Sequence, residues 1–299
     1  IGLQLIEELL KTQKYQITAL DLKSPRSTKR LKKYQNQINI INGDINDTTL
    51  INDLVAQNDY IFHLSAVLPF NAEINYNLAT IVNYEGTKNI VDAIIKLNSK
   101  AFLIYPSTTV MYGDVKKVKL NSDLNIYYDD YYAQINYQVE KYIEKHVKNY
   151  IIYRLPFVLN EYNFDKFMYN LPLQRNIEII TTTMVAKAFC NSLKHKNTLK
   201  NKIYILSGGN KYRTNSSKLM YEVLKVNGIS FRYFVMYHFL KKNFYGHYYE
   251  DDKQLNDILD YQSGSISDVY ENISKVKKNK RFINRFFAIF ILHKLSHKM

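Results

Sequence analysis

Thr108 and Tyr132 stand 24 positions apart, and together they carry the groups needed to move a proton on and off an alcohol. A tyrosine phenol can take and return the proton as a general acid/base, while a threonine hydroxyl holds the reacting oxygen by a hydrogen bond. A free phenol titrates at about 10, so such a site needs something that favours the phenolate. A lysine one helical turn after the tyrosine would do this, because positions four apart share a helix face and a nearby cation stabilises an anion. At that position stands Asn136, a neutral amide. A second register exists one turn further along, where Tyr137 is followed four residues later by Lys141.

The elements that must position these side chains alternate in type along the chain. The amphipathic stretch 2–12 reads as a helix with no strand before it, and Gln16-Ile-Thr-Ala-Leu-Asp21 as a short apolar strand ending in an acid. Strands follow at 38–42, 60–64, 101–105 and 150–154. Helices are expected near 47–56, 78–98 and from Tyr132 to about 148. This order implies parallel strands joined by helical crossovers, an α/β doubly wound sheet. Past Pro156 the rhythm breaks. A helix at 182–194 and a strand at 202–206 read as returns to the sheet, and the segments near 160–180 and 207–274 as a smaller lobe. The expected division is a body over 1–159, a substrate lobe over 160–274 that lends 182–206 to the sheet, and a basic tail over 275–299.

The composition is that of an ordinary globular chain: 299 residues, 46% hydrophobic, with only 9 Gly and 5 Pro. Eight Lys or Arg and no acid fall within 275–299, leaving +6 of the +14 net charge for the rest. The charge therefore belongs to a tail, and nucleic-acid binding by the body is not expected. The one cysteine, Cys190, lies among apolar residues, excludes an internal disulfide and suits a reducing, cytoplasmic setting. No apolar run approaches the roughly 20 residues of a spanning helix.

Several segments, taken in order, resemble the extended short-chain dehydrogenases/reductases of the NAD-dependent nucleotide-sugar epimerase/dehydratase type. Ile1-Gly2 is similar to the end of that family's glycine-rich turn, of which only Gly2 is present. The first strand and the earlier glycines of that pattern are absent from the sequence. Asp21 stands where an acid binds the ribose hydroxyls, about 20 residues on. Gly43-Asp-Ile45 is similar to the adenine-contacting turn, His63-Leu-Ser-Ala66 to the cofactor-lining end of the fourth strand, and Asn83-Tyr-Glu-Gly-Thr87 to the Asn-x-x-Gly-Thr of the long helix. Ser107-Thr-Thr-Val-Met-Tyr-Gly113 resembles the Ser-rich segment ending in Tyr-Gly, with Thr108 at the catalytic hydroxyl. The pattern of Tyr132, Ala133 and Glu140 favours the Tyr132 register over the Tyr137 one. Arg154-Leu-Pro-Phe-Val158 is similar to the strand and loop passing the nicotinamide.

The resemblance implies a Rossmann-like fold, NAD as cofactor and a nucleotide sugar as substrate. The implied catalytic residues are Thr108, Tyr132 and Asn136. The implied cofactor residues are Gly2, Asp21, Asp44, Ile45, Leu64, Ser65, Ala66, Asn83, Pro156 and Phe157, with no metal. An acid at 21 favours NAD over its 2′-phosphorylated form, although Lys23 and Arg26 lie close by. Dehydratases of this type carry Asp-Glu just after the hydroxyl. Here Thr109-Val110 stand there, which points to epimerisation or ketone reduction. Met184 replaces an acid usual in the following lobe.

Two readings stay open: an NAD-dependent epimerase or related oxidoreductase, and a catalytically degenerate member that binds a nucleotide or partner with little turnover. The family also suggests a homodimer through the helices near 78–98 and 131–148. The basic cluster Lys275–Arg281 and the apolar Phe286–Leu292 fit either a final helix docked on the lobe or peripheral contact with an anionic membrane surface.

Overall fold

A computed structural model describes residues 1–98, 100–113, 119–128, 130–159, 172, 175–226, 247–250 and 252–276. The basic tail beyond 276 and most of 160–174 and 227–246 lie outside these residues.

Four parallel strands form the centre, in the order β3 (Tyr60–Phe62), β4 (Phe102–Thr108), β6 (Tyr150–Leu155) and β9 (Lys202–Ile205). The middle strands alternate cleanly. Leu103, Tyr105 and Ile152 enter one apolar cluster, whereas Ile104, Ile151 and Tyr153 enter another. Burial on both faces is what a parallel sheet covered by helices requires. The first cluster is closed by α3 (Thr48–Ala56), α6 (Gly86–Leu97) and α7 (Tyr131–His146), the second by α1 (Gly2–Thr12) and α8 (Thr182–Ser192). The fold is thus the α/β, Rossmann-like, doubly wound sheet expected.

β1 (Thr18–Asp21) and β2 (Asn39–Asn42) form a separate parallel ladder. Among the described residues β1 bonds only to β2, and β3 only to β4. Helix α1 spans both pieces: Leu5 and Leu9 enter the large core, while Ile6 packs with Leu31, Tyr34 and Ile38 over the small ladder. Between β1 and β2 lies α2 (Pro25–Leu31), absent from the expected elements. Its Ser24 and Ser27 form a reciprocal capping box and Pro25 fills the first helical position.

The single helix expected over 78–98 is built in parts. α4 (Pro69–Ile74) and α5 (Tyr76–Ala79) precede a π-helical stretch over Thr80–Glu85, and only then does α6 begin. At Gly86 an added Cβ would come within 2.8 Å of Ile45 Cγ2, so α6 approaches the turn after β2 too closely for a side chain there.

The remaining described residues form two smaller ladders. β8 (Asn176–Thr181) lies between β7 (Phe157–Leu159) and β10 (Arg213–Asn215), and β5 (Lys119–Leu120) pairs with β11 (Tyr248–Tyr249). The fully buried Glu178 ties them together. Its carboxylate accepts from Arg213 Nε at 2.7 Å, the Gly209 N–H at 3.0 Å, the Tyr249 N–H at 3.2 Å and the Ser207 hydroxyl. Helices α9 (Lys196–Leu199), α10 (Ser216–Val226), α11 (Asp252–Leu259) and α12 (Ile266–Val276) complete the described chain.

Candidate active site

Several of the expected site residues stand at the carboxyl ends of strands, where open α/β sheets bind their ligands. Thr108 closes β4, Pro156 follows β6, His63 to Ala66 follow β3, Asp21 closes β1, and Asp44 lies just past β2.

Tyr132 owes its place to the start of α7. Asp130 caps that helix by accepting the Ala133 N–H at 2.8 Å, and Glu73, reaching over from α4, accepts the Tyr132 N–H at 2.9 Å. Two carboxylates on the positive end of a helix are favourable partners for its unpaired amides. Asp130 also acts on the phenol. Burial, opposed by a side-chain hydrogen bond from Asn136 and aided by the charge of Asp130, pushes the Tyr132 phenol up to about 12.

Farther along α7, Glu140 fixes the helix to the sheet. Both of its oxygens are held by Arg154 of β6, from Nε at 3.0 Å and Nη2 at 2.7 Å, and Arg154 Nη1 donates to the Tyr112 hydroxyl at 2.8 Å. Gly113 then ends that segment with φ of +62°. A Cβ there would fall 2.2 Å from the Tyr127 carbonyl oxygen, so the Tyr-Gly pair turns as only glycine allows.

Asn136 is buried beneath Tyr132. Its amide nitrogen donates to the Tyr132 backbone oxygen at 2.8 Å, and its amide oxygen accepts from the Tyr105 hydroxyl at 3.0 Å. Tyr105 was not among the expected site residues. The pleat shows it: Tyr105 faces the α7 side of β4, so its hydroxyl meets the residue one turn past Tyr132.

The strand end supplies two hydroxyls. Thr108 Oγ1 accepts the Val110 N–H at 3.2 Å, which leaves its hydrogen free to donate. The buried Ser107 Oγ, two residues past Tyr105, has no hydrogen-bond partner. An orphaned buried hydroxyl invites a bound polar group.

Other expected residues support the site from behind. Asn83 sits in the π-helical stretch and clamps the loop after β3, accepting the Val67 N–H at 2.7 Å and donating to the Val67 oxygen at 2.9 Å. The Thr87 hydroxyl donates to the Asn83 oxygen, so it accepts from His63 Nε2 at 2.8 Å. His63 is therefore the neutral Nε2–H tautomer, and burial lowers its pKa to about 4. Ile45 is buried against Gly86, whereas Ser65 and Ala66 are exposed and Leu64 is half-buried against Gly2. Asp21 is exposed and accepts the Leu22 N–H at 2.8 Å, and Asp44 accepts from the Asn46 backbone at 2.9 Å. Phe157 and Pro156 are buried beside the strand end. The Cys190 thiol is buried, and burial raises its pKa, as suits a packing residue. No described helix is long and apolar enough to cross a membrane.

A doubly wound parallel sheet covered by helices on both faces, with this order of elements, is that of a short-chain dehydrogenase/reductase of the extended type. Residues 1–150 match the 3-beta hydroxysteroid dehydrogenase/isomerase family, and the chain belongs to that family. Among curated relatives, UDP-N-acetyl-alpha-D-glucosaminuronate decarboxylase of Bacillus cytotoxicus is 33% identical over 114 residues, 38% of this chain and 35% of that protein. CDP-paratose 2-epimerase of Salmonella typhi is 31% identical over 84 residues, 27% of this chain and 25% of that protein. The matches thus span about a third and a quarter of those relatives. Among solved structures, UDP-glucuronic acid 4-epimerase of Bacillus cereus, in complex with UDP-glucuronic acid and NAD, superposes with a TM-score of 0.74 at 18% identity, covering 93% of this chain and 96% of that one. UDP-glucose 4-epimerase of Thermotoga maritima does so with a TM-score of 0.74 at 14% identity, covering 93% and 95%.

Proposed function

We propose that this chain is an NAD-dependent epimerase or related oxidoreductase acting on a nucleotide sugar, with Tyr132 as its acid/base. The observation that carries this reading is the buried Tyr132 in the first turn of α7, packed in one cluster with Tyr105 of β4 and followed one turn later by Asn136, which donates to its backbone oxygen. The relatives and solved neighbours include nucleotide-sugar epimerases and a decarboxylase, several of them holding NAD.

The described residues fit the cofactor. Gly2 opens α1, whose first-turn amides would hold a pyrophosphate. Asp21 would take the ribose hydroxyls, with Asp44 and Ile45 at the adenine side. Leu64, Ser65, Ala66 and Asn83 would line the body of the cofactor, and Pro156 and Phe157 the nicotinamide end. NAD, when bound, accepts a hydride from a sugar carbon and returns it.

The protein's own part is to move the proton. Thr108 donates its free hydrogen to the substrate oxygen and orients it. The Tyr132 phenol oxygen takes the hydroxyl proton and gives it back after the hydride has returned. Asn136 stabilises the phenolate as a neutral donor, which is weaker support than a lysine charge. The absence of an acidic pair at Thr109-Val110 favours epimerisation or reduction over dehydration. The substrate lobe of 160–274 would choose the sugar. Exposed Tyr76, Leu78 and Ile81 on α5 and the π-helical stretch support pairing of two copies, to be checked by analytical ultracentrifugation.

The test is direct. Full-length protein is supplied with NAD and a panel of UDP- and CDP-sugars, with products followed by NMR and reduced nicotinamide by absorbance. Steady turnover of a sugar nucleotide supports the reading. Cofactor binding with no turnover across the panel favours the degenerate alternative.

A further inference from the structure

Asn136 can lie either way round, and the two orientations have opposite chemistry. With its NH2 group toward Tyr132 it donates to the phenol oxygen and favours the phenolate. With its carbonyl there, it presents a partial negative charge and disfavours it. Two groups choose between them, one on the same helix and one on another element. The Tyr105 hydroxyl meets the amide oxygen at 3.0 Å, and the Tyr132 backbone oxygen meets the amide nitrogen at 2.8 Å. A backbone oxygen can only accept, so it demands the NH2. The buried Tyr105 phenol is raised well above its ordinary value by burial, so it keeps its hydrogen at physiological pH and demands the carbonyl.

Resting on the reading of Tyr132 as acid/base, we propose that Tyr105 is a positioning residue: its hydroxyl locks the Asn136 amide so that the NH2 group serves Tyr132. Asn136 and Tyr105 then act as a pair, a phenol and an amide doing by orientation part of what a lysine does by charge. The lock is two-sided and dry. Tyr105 is 5% exposed and Asn136 3%, so water does not compete for either group. Tyr105→Phe keeps the ring and removes only the donor. The amide oxygen is left buried without its partner, and the amide is then held from one side only, by the Tyr132 backbone oxygen.

The role is read at Tyr132 itself, without turnover. 3,5-Difluorotyrosine, whose phenol titrates well below tyrosine's, is placed at position 132 and its fluorine resonance followed against pH. In the otherwise native chain, Tyr105→Phe is expected to raise the apparent titration by about one unit, roughly tenfold fewer phenolates at fixed pH, the scale of one buried hydrogen bond. In an Asn136→Lys background no amide remains to be oriented, and Tyr105→Phe should then leave the titration where it was. An unmoved titration in the native chain, or an equal rise in both backgrounds, overturns the proposal. The second outcome would mean that Tyr105 acts by packing alone. If the titration behaves as expected while full-length protein with NAD turns over no nucleotide sugar, the functional reading fails and the positioning role stands.

Discussion

Arg154 grips both carboxylate oxygens of Glu140, at 3.0 and 2.7 Å, across the boundary between β6 and α7. The pair is almost fully buried, with side chains 5% and 0% exposed. It sets the height of α7 against the sheet two turns beyond Tyr132, so the fold and the site share one contact.

Removing one partner leaves the other charge buried without compensation. Arg154→Leu should cost about 3–5 kcal/mol of folding free energy, against a small change for Glu140→Leu with Arg154→Met together. Urea unfolding of the three chains checks this. A single variant that unfolds at the native midpoint would show that the pair contributes nothing.

Turnover should climb with pH through the neutral range. Tyr132 is protonated below its pKa of about 12, and the proposed base is its phenolate. Asn136→Lys supplies a charge and should bring the acid limb down by about two units, close to a hundredfold in phenolate at neutral pH. The pH profile of kcat measures it. Equal limbs in the two proteins would exclude position 136 from control of the phenol.

Folding stability should fall at both ends of the pH scale for separate reasons. The folded Tyr132 pKa lies above its unfolded value, so its share is complete below about pH 10 and is lost as pH rises toward 12. His63 is the reverse: its folded pKa of about 4 lies below the unfolded value, so its share is complete above about pH 6.5 and fades as pH falls to 4. That fading amounts to about 3 kcal/mol. Denaturation midpoints between pH 4 and 7 test it, and His63→Gln should flatten the acid slope.

The two strand-end hydroxyls should separate kinetically. Thr108→Ala is expected to lower kcat by about a hundredfold, the scale of a lost transition-state hydrogen bond. Ser107→Ala removes an unpartnered hydroxyl and should act on cofactor affinity, read by calorimetric titration of NAD. A larger kcat loss at Ser107 would transfer the catalytic role to it.

Much of this was legible in the chain. The alternation of apolar strands and amphipathic helices announced the doubly wound sheet, and the strand around Ile104 and the helix around Ile135 fall where expected. Helix α2 was legible too but unread: Ser24-Pro25 followed by Ser27 is a start signal in the sequence itself. The π-helical stretch was not, because Thr80–Glu85 is shaped by Asn83 holding the Val67 backbone, a contact between distant segments.

The sequence by itself determined that a tyrosine and a hydroxyl stand at family spacing, and that an amide replaces the lysine, since identity and helical period need no third dimension. Only the tertiary structure decided what that amide does. Its carbonyl is held by Tyr105, 31 residues away on a neighbouring strand. The tyrosine's acidity depends on burial and on Asp130, and its backbone N–H is met by Glu73, reaching over from another helix. These are effects of dielectric and of hydrogen-bond direction, and both exist only once the chain has packed.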